Sequence, residues 1–260
     1  MSLPSLSVVI PVRNEEPNVL PLAREVEAAL AAIPNWECIW VDDASTDGTR
    51  AALRRLCVEG SGHRVLAFPE HRGQTAALLA GWRAARLEFV GALDGDRQND
   101  PADLPRLLAA AVESDLDMVN GVRVRRRDSW VRRVSSRIAN EFRNRVTGDR
   151  VTDVGCSIRV LRRRLVENIP VLRNMHRFLP TLVRMSGARV GELPVSHRPR
   201  VAGRTKYGIG NRLWVGIVDS LAVQWMTKRA IRLDTTEEPR LPGDPTRPTT
   251  IAVEEVAHLA

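Results

Sequence analysis

Five short apolar runs alternate with helical stretches over the first 120 residues, and the fourth run ends in two carboxylates. The runs are Leu6 to Ile10, Trp36 to Val41, Arg64 to Phe68, the stretch from Glu88 to Leu93, and Asp117 to Asn120. Between the first two, Val19, Leu22, Val26 and Leu30 recur at helical spacing. Arg50 to Val58 fills the second gap. His71-Arg72-Gly73-Gln74 opens a third helix that reaches Arg86, and Pro101 and Asp103 start a fourth, in keeping with proline's place in a first turn. This alternation predicts an α/β fold with a mostly parallel central sheet and helices on both faces.

In open sheets of this kind, ligands bind beyond the carboxyl ends of the strands. There the chain reads Asp94-Gly95-Asp96-Arg97-Gln98. Two carboxylates and an amide suit a hard divalent cation, Mg²⁺ or Mn²⁺, holding a diphosphate. A lone D-x-D is also what a solvated turn looks like, so it carries little by itself. The second run likewise ends in acids, Asp42-Asp43, followed by Ala44-Ser45-Thr46-Asp47-Gly48-Thr49. Asp43-x-Ser45-x-Asp47-Gly48 imitates a calcium loop. Its twelfth position is Arg54, where a bidentate Glu is needed, and a strand precedes it, so an EF-hand is excluded. Two readings stay open: a carboxylate that meets a base N–H and ribose hydroxyls, and a turn with a helix cap. There is no G-x-G-x-x-G after the first strand, no P-loop, and no paired histidine spacing for a metal.

After Gly121 the texture changes. Arg123, Arg125, Arg126, Arg127, Arg132, Arg133 and Arg137 fall within fifteen residues. The formal net charge is +8, and nearly all the positive charge is arginine, since only Lys206 and Lys228 are lysines. Nucleic acid, an anionic membrane surface and a phosphorylated substrate are the candidate partners of such a surface. With 4% aromatics and no nucleic-acid motif, a phosphate-binding surface near Asp94 and Asp96 fits better than nucleic acid. Trp130 to Val146 and Arg177 to Ser186 read as helices. Asp153 to Leu161 holds a short strand, and Arg189 to Val195 reads as the last one. A basic loop, His197 to Tyr207, leads into Leu213 to Met226, where Trp214, Ile217, Leu221 and Trp225 fall near one helix face and Lys228 and Arg229 follow. That segment is too short to span a bilayer. It suits a helix lying in a membrane interface, or an amphipathic helix packed on the domain or a partner. Cys38, Cys57 and Cys156 are odd in number and lack metal-ligand spacing, so they read as buried thiols in a reducing compartment. The N-terminus lacks a signal-peptide pattern. From about Asp234 the chain is rich in Pro, Thr and Glu and reads as a disordered tail. The expected division is a catalytic domain over 1–208, an amphipathic helix over 209–230 and a tail over 231–260.

Several motifs then stand in one order: Pro11-x-x-Asn14-Glu15, Val41-Asp42-Asp43-x-Ser45-x-Asp47-Gly48-Thr49, Asp94-x-Asp96-x-Gln98, Arg123, Asp153-x-Gly155 and Arg200-x-x-Gly203-x-Thr205-Lys206-Tyr207. Taken together, over roughly residues 5 to 228, the set resembles the family 2 glycosyltransferases. It is most similar to the dolichyl-phosphate mannose synthase type, which makes polyprenyl-phosphate sugars. The resemblance implies a GT-A fold, a UDP- or GDP-sugar donor, a polyprenyl (undecaprenyl or dolichyl) phosphate acceptor, and Mg²⁺ or Mn²⁺ as cofactor. By the same resemblance, Pro11, Arg13 and Glu15 line the nucleotide pocket, and Val41 and Asp43 meet the base and ribose. Asp94 and Asp96, with Gln98, hold the metal; Leu93 and Gly95 complete that donor-binding turn. Arg200 and Lys206 lie on the donor phosphates, and Arg123, Arg132 and Ser136 receive the acceptor phosphate. Asp94, Asp96 and Arg123 are the implied catalytic set. Asp153 falls in the segment after the acceptor motif.

The sequence departs from the family pattern in places. Arg13 stands where many relatives carry an aromatic, and Thr205 replaces the commoner Ser. Many bacterial relatives continue into transmembrane helices, whereas this sequence ends in a polar tail. The expectation is therefore a protein peripheral to the cytoplasmic face of the inner (plasma) membrane, or one that needs a membrane partner. Two rival readings remain at this stage. One is a family 2 transferase acting on a hydroxyl of a glycan or lipid, which requires a general base. The other is a non-catalytic nucleotide-binding module at a membrane surface.

Overall fold

The computed structural model describes residues 3–59, 62–123, 141–148, 151–153, 155–199 and 210–230. Four strands come first, each followed by a helix. They are β1 (Leu6–Val12), α1 (Glu16–Leu30), β2 (Trp36–Asp42), α2 (Thr49–Glu59), β3 (His63–Ala67), α3 (Gln74–Ala84), β4 (Phe89–Ala92) and α4 (Asp103–Glu113). Then follow β5 (Met118–Arg123), a helical stretch α5 (141–147), β6 (Arg159–Arg162), α6 (Leu179–Met185), β7 (Val190–Val195) and α7 (Gly210–Arg229). Two 3₁₀ turns, Arg163–Asn168 and Met175–Phe178, connect β6 to α6.

The seven strands form one sheet in the order β3-β2-β1-β4-β6-β5-β7. All neighbours are parallel except β6, which runs antiparallel to both β4 and β5. Expected and observed strands coincide in place. The short strand expected within Asp153 to Leu161 is the antiparallel one, and it slots between β4 and β5. Its reversal has a consequence for the site. Ala92 at the end of β4 and Asn120 in β5 both lie opposite Arg159, the first residue of β6. The start of β6 therefore sits at the same sheet edge as the carboxyl ends of its neighbours.

The central strands β1, β2 and β4 are largely apolar on both faces, as a buried parallel sheet requires. Leu6, Val8, Ile10, Cys38 and Trp40 pack with Val19, Leu22 and Val26 of α1, Leu53 of α2 and Leu104 and Leu107 of α4. Val9, Ile39 and Val41 point the other way, onto Ala77, Leu78 and Trp82 of α3, Leu179 and Val183 of α6 and Val223 of α7. Trp82 is 1% exposed, and its indole N–H donates to the Gly91 carbonyl at 2.9 Å, which pins α3 to β4. Truncating so large a buried ring costs about 3–5 kcal/mol.

Of the helix expected over Trp130 to Val146, only 141–147 is described. Residues 1–230 form one compact unit that includes α7. One face of α7 is packed: Val223 and Ser220 are buried, and Thr227 Oγ1 contacts Met185 Sδ at 3.5 Å. Another face carries Val218, Leu221 and Trp225 at 52%, 50% and 62% exposure. The helix packs one side on the domain and leaves Val218, Leu221 and Trp225 open on another. Among the described residues, no helix is long and apolar enough to cross a membrane.

Candidate functional site

The site is built where the carboxyl ends of β1, β2, β4, β5 and β7 meet the start of β6. Two loops are stitched together first. Asn14, left-handed at φ 52°, receives a hydrogen bond from Thr46 N–H on its Oδ1 at 2.8 Å, and its own N–H donates to Ser45 Oγ at 3.0 Å. Glu15 N–H donates to Thr49 Oγ1 at 2.9 Å, and Gly48 N–H donates to Glu16 Oε2 at 3.1 Å. The Pro-x-x-Asn-Glu and Asp-Asp-x-Ser-x-Asp-Gly-Thr motifs are therefore two halves of one contact. They wall the β1–β2 side of the site.

Asp42 and Asp43 divide the work of the second loop. Asp42 is fully buried; it accepts the Ser45 N–H and is paired with Arg50 Nε at 2.6 Å. Asp43 accepts the backbone N–H groups of Arg72 and Gly73, at 2.7 and 2.9 Å, and contacts His71 Nδ1 at 2.7 Å. Three of the roughly four lone-pair positions of a carboxylate are thus directed at the loop before α3. Asp43 organises that loop, a role no local signal in the sequence reveals. The Val41 side chain is wholly enclosed between β2 and α3.

The Asp94-Gly95-Asp96 turn follows β4, with Leu93 N–H donating to the Val9 carbonyl at 3.1 Å. A Cβ on Gly95 would lie 2.6 Å from Val12 Cγ1 and 3.2 Å from the Pro11 carbonyl oxygen, so the residue between the two acids has no room for a side chain. Gln74, the first residue of α3, donates its amide to Asp94 Oδ1 at 2.9 Å. Asp96, 9% exposed, accepts the Gln98 N–H at 3.1 Å. Burial and the neighbouring Asp96 charge push the Asp94 pKa up to about 6. A hydrogen bond from Ser157 and the charges of Arg159 and Arg123 work the other way. Two crowded carboxylates of this kind have excess negative potential that a divalent cation relieves. Among the described residues no cluster of three or more His, Cys, Asp or Glu could hold a metal ion. The candidate set is Asp94, Asp96 and the Gln98 amide, which leaves positions for diphosphate oxygens and water, and in that respect the residues fit Mg²⁺ or Mn²⁺.

The β5–β7 side carries the cationic group. Arg123, the last residue of β5, is held by Asp153 through Nε to Oδ2 at 2.8 Å and Nη2 to Oδ1 at 2.9 Å. Asp153 also accepts the N–H groups of Arg123 and Gly155, each at 3.2 Å. A Cβ on Gly155 would meet Arg123 Nη2 at 2.6 Å, so the Asp-x-Gly motif is a clamp for that arginine. The chain returns here from β7: Arg198 N–H donates to the Gln98 carbonyl at 2.7 Å, and Arg198 pairs with Glu25 and Asp100. Arg132, Ser136, Arg200 and Lys206 lie outside the described residues.

The sequence reading missed four groups at this edge: Gln74, Ser157, Arg159 and His176. Arg159 is 3% exposed and donates to the carbonyls of Ser157, His176 and Cys156. Burial holds its pKa below the usual arginine range, and its charge faces Asp94. An arginine between Ile158 and Val160 in an apolar run is the one signal that could have marked it.

Residues 7–169 match the family model described as glycosyl transferase family 2. A dodecaprenyl-phosphate galacturonate synthase of Rhizobium johnstonii is 38% identical over 232 residues, covering 87% of this chain and 68% of the relative. An undecaprenyl-phosphate 4-deoxy-4-formamido-L-arabinose transferase of Aeromonas hydrophila is 37% identical over 206 residues, covering 78% of this chain and 63% of the relative. The chain thus spans roughly two thirds of the length of these relatives. Among solved structures, glucosyl-3-phosphoglycerate synthase from Mycobacterium tuberculosis, in complex with Mn²⁺, UDP-glucose and phosphoglyceric acid, has a TM-score of 0.66 at 18% identity, covering 85% of this chain and 80% of that one. A mannosyltransferase from Pyrobaculum calidifontis, in complex with GDP-mannose and Mn²⁺, has a TM-score of 0.60 at 20% identity, covering 87% and 64%. At these identities the structural likeness is one of fold.

Proposed function

Because the chain belongs to glycosyltransferase family 2 and has the GT-A fold, we propose that it transfers a sugar from a UDP- or GDP-sugar to a polyprenyl phosphate, with inversion at the anomeric carbon. The observation that carries this reading is the pairing of two charge types across one sheet edge. A crowded Asp94–Asp96 pair ends β4, and an arginine clamped by Asp153 ends β5. The relatives at 37–38% identity, named for polyprenyl-phosphate sugars, support the choice of acceptor.

Asp94, Asp96 and Gln98 would hold Mg²⁺ or Mn²⁺, which when bound supplies neutralisation of the departing diphosphate. The Pro11–Glu16 and Asp42–Thr49 loops, with Arg13, Glu15 and Asp43, bind the nucleoside side of the donor. Arg123 receives the acceptor phosphate, joined by Arg132 and Ser136. Arg200 lies two residues beyond Arg198, whose N–H is bonded to Gln98. Arg200 and Lys206, in the basic loop that follows, assist the leaving group. A phosphate monoester has a second pKa of about 6 and is largely ionised near neutral pH. It attacks without a protein base, so the chain's task is in-line positioning and cationic screening of two anionic substrates. The open stripe of Val218, Leu221 and Trp225, with Arg229 over the Trp225 ring at 5.3 Å, would lie in the membrane interface and bring the site to its lipid.

The test is a transfer assay with Mn²⁺ or Mg²⁺, undecaprenyl phosphate and a panel of labelled UDP- and GDP-sugars. Metal-dependent label in the organic phase with one donor, lost in Asp96→Asn, is the expected result. Near-normal turnover by Asp96→Asn contradicts the metal assignment.

A further inference from the structure

His176 has no part in the mechanism above, yet its contacts lead to the metal-binding turn. It lies in the 3₁₀ turn Met175–Phe178, entered through Asn174 in the left-handed region at φ 62°. Its ring Nδ1 is 2.7 Å from Thr75 Oγ1, and its main-chain carbonyl accepts a hydrogen bond from Arg159 Nη1 at 2.9 Å. Thr75 directly follows Gln74, whose amide holds Asp94. Two successive residues at the start of α3 thus touch Asp94 and His176. On the other side, Asn174 donates to Asp219 of α7 at 3.1 Å, which braces the turn.

The imidazole is half-buried. Burial, with the Arg177 and Arg159 charges, pushes its pKa down to about 3. The neutral imidazole is thereby favoured, and it can donate or accept a hydrogen bond. Thr75 occupies Nδ1, and Nε2 has no hydrogen-bond partner among the described residues. The ring is thus fixed at one nitrogen, with the other available to a ligand.

The layout of the sheet edge indicates which part of a ligand. The stitched loops occupy the β1–β2 side, Asp94 and Asp96 end β4, and Arg123 ends β5. A donor with its nucleoside at the stitched loops and its diphosphate at the two acids has its sugar left toward β6, where Arg159, Thr75 and His176 stand. We propose that His176, oriented by Thr75, is a specificity-determining contact to a hydroxyl of the donor sugar. This assignment rests on the nucleotide-sugar reading of the site. A site that bonds a particular hydroxyl discriminates against an epimer that misplaces it, because that hydrogen bond is then lost.

The test compares His176→Phe, His176→Gln and Thr75→Val with wild type. Titration calorimetry with Mn²⁺ and UDP or GDP reports the nucleotide and metal portion. The ratio of kcat/KM between the preferred nucleotide-sugar and its ring epimers reports sugar reading, and thermal melts report folding. We expect nucleotide affinity within about twofold of wild type in all three, with the epimer ratio falling roughly tenfold in His176→Phe and partly restored in His176→Gln. An unchanged ratio in variants that fold overturns the assignment while the donor reading stands. So does an equal loss for nucleotide and nucleotide-sugar, which marks a merely structural residue. Should His176→Phe fail to fold, His176→Gln and Thr75→Val decide by the same ratio. Failure of wild-type protein to bind any nucleotide-sugar overturns the donor reading and this assignment with it.

Discussion

Asp153 grips Arg123 through both carboxylate oxygens, at 2.8 and 2.9 Å, from a residue that is itself 4% exposed. The pair fixes the plane of a guanidinium at the end of β5 while leaving its charge toward the site. Gly155 supplies the space. Bidentate geometry of this kind favours orientation as much as energy.

Asp153→Ala therefore leaves Arg123 without its orienting partner. Breaking a well-formed, mostly buried pair costs on the order of 3 kcal/mol in stability, readable by urea denaturation. The transfer defect should fall chiefly on KM for the polyprenyl phosphate, by about tenfold, with KM for the donor little changed. Gly155→Ala should give a milder version of the same split, since its Cβ displaces only the flexible end of Arg123. A defect in donor KM alone contradicts the acceptor role of Arg123.

Asp94 links the site to pH. Its pKa is raised from 3.8 to about 6 in the folded chain by burial and by Asp96. Between those two values the native state binds more protons than the unfolded one, so stability falls as pH rises through that window. Without metal, Asp94→Asn should melt higher than wild type at pH 7.5, and the difference should shrink as pH approaches 4. Mn²⁺ with UDP should raise the wild-type Tm and leave that of Asp94→Asn unchanged. A variant that melts lower than wild type at pH 7.5 and still responds to Mn²⁺ would sink the account of this carboxylate.

Asp43 accepts the Arg72 and Gly73 N–H groups. Asp43→Ala leaves both donors without their acceptor and should cost about 1–3 kcal/mol. Nucleotide affinity should fall with it, because the loop entering α3 also sets Gln74 on Asp94. Equilibrium denaturation and calorimetry with UDP check the two effects. Loss of affinity at full stability would instead mean that Asp43 acts only on the nucleotide.

The two faces of α7 make opposite predictions. Leu221→Asp with Trp225→Asp alters side chains that are half or more exposed. Liposome co-sedimentation with anionic vesicles should drop severalfold while the Tm holds. Val223→Asp puts a charge into a fully buried position against α6 and should lower the Tm by several degrees. Vesicle binding unaffected by the first pair removes the interfacial role.

Much of this was legible from residue order. Every strand was marked by an apolar run, because a sheet covered on both faces needs near-continuous hydrophobic stretches. The alternation of Leu6, Val8 and Ile10 with Val9 is that requirement seen residue by residue. The direction of β6 was not legible. Strand polarity depends on how the chain returns from β5, and a four-residue run reads the same either way. Likewise the work of Asp43 depends on loop residues 28 to 30 positions later, and His176 reaches Thr75 across 101 positions. Such contacts follow from packing α3 against β1, β2 and the Met175–Phe178 turn, which no local pattern encodes. In sequence, a charged residue at a strand end reads as solvent-facing, whereas at Arg159 three carbonyls replace the solvent.

The central claim is that the nucleophile is already ionised and needs no protein base. The most direct measurement offers the protein two acceptors that differ only at the head group, undecaprenyl phosphate and undecaprenol, with the active nucleotide-sugar and Mn²⁺, and counts label in each lipid product. The account predicts label on the phosphate and none above background on the alcohol, at pH 7 and at pH 9 alike. Label on the alcohol at a comparable rate would contradict it and make the protein a hydroxyl-directed transferase with a base still to be found.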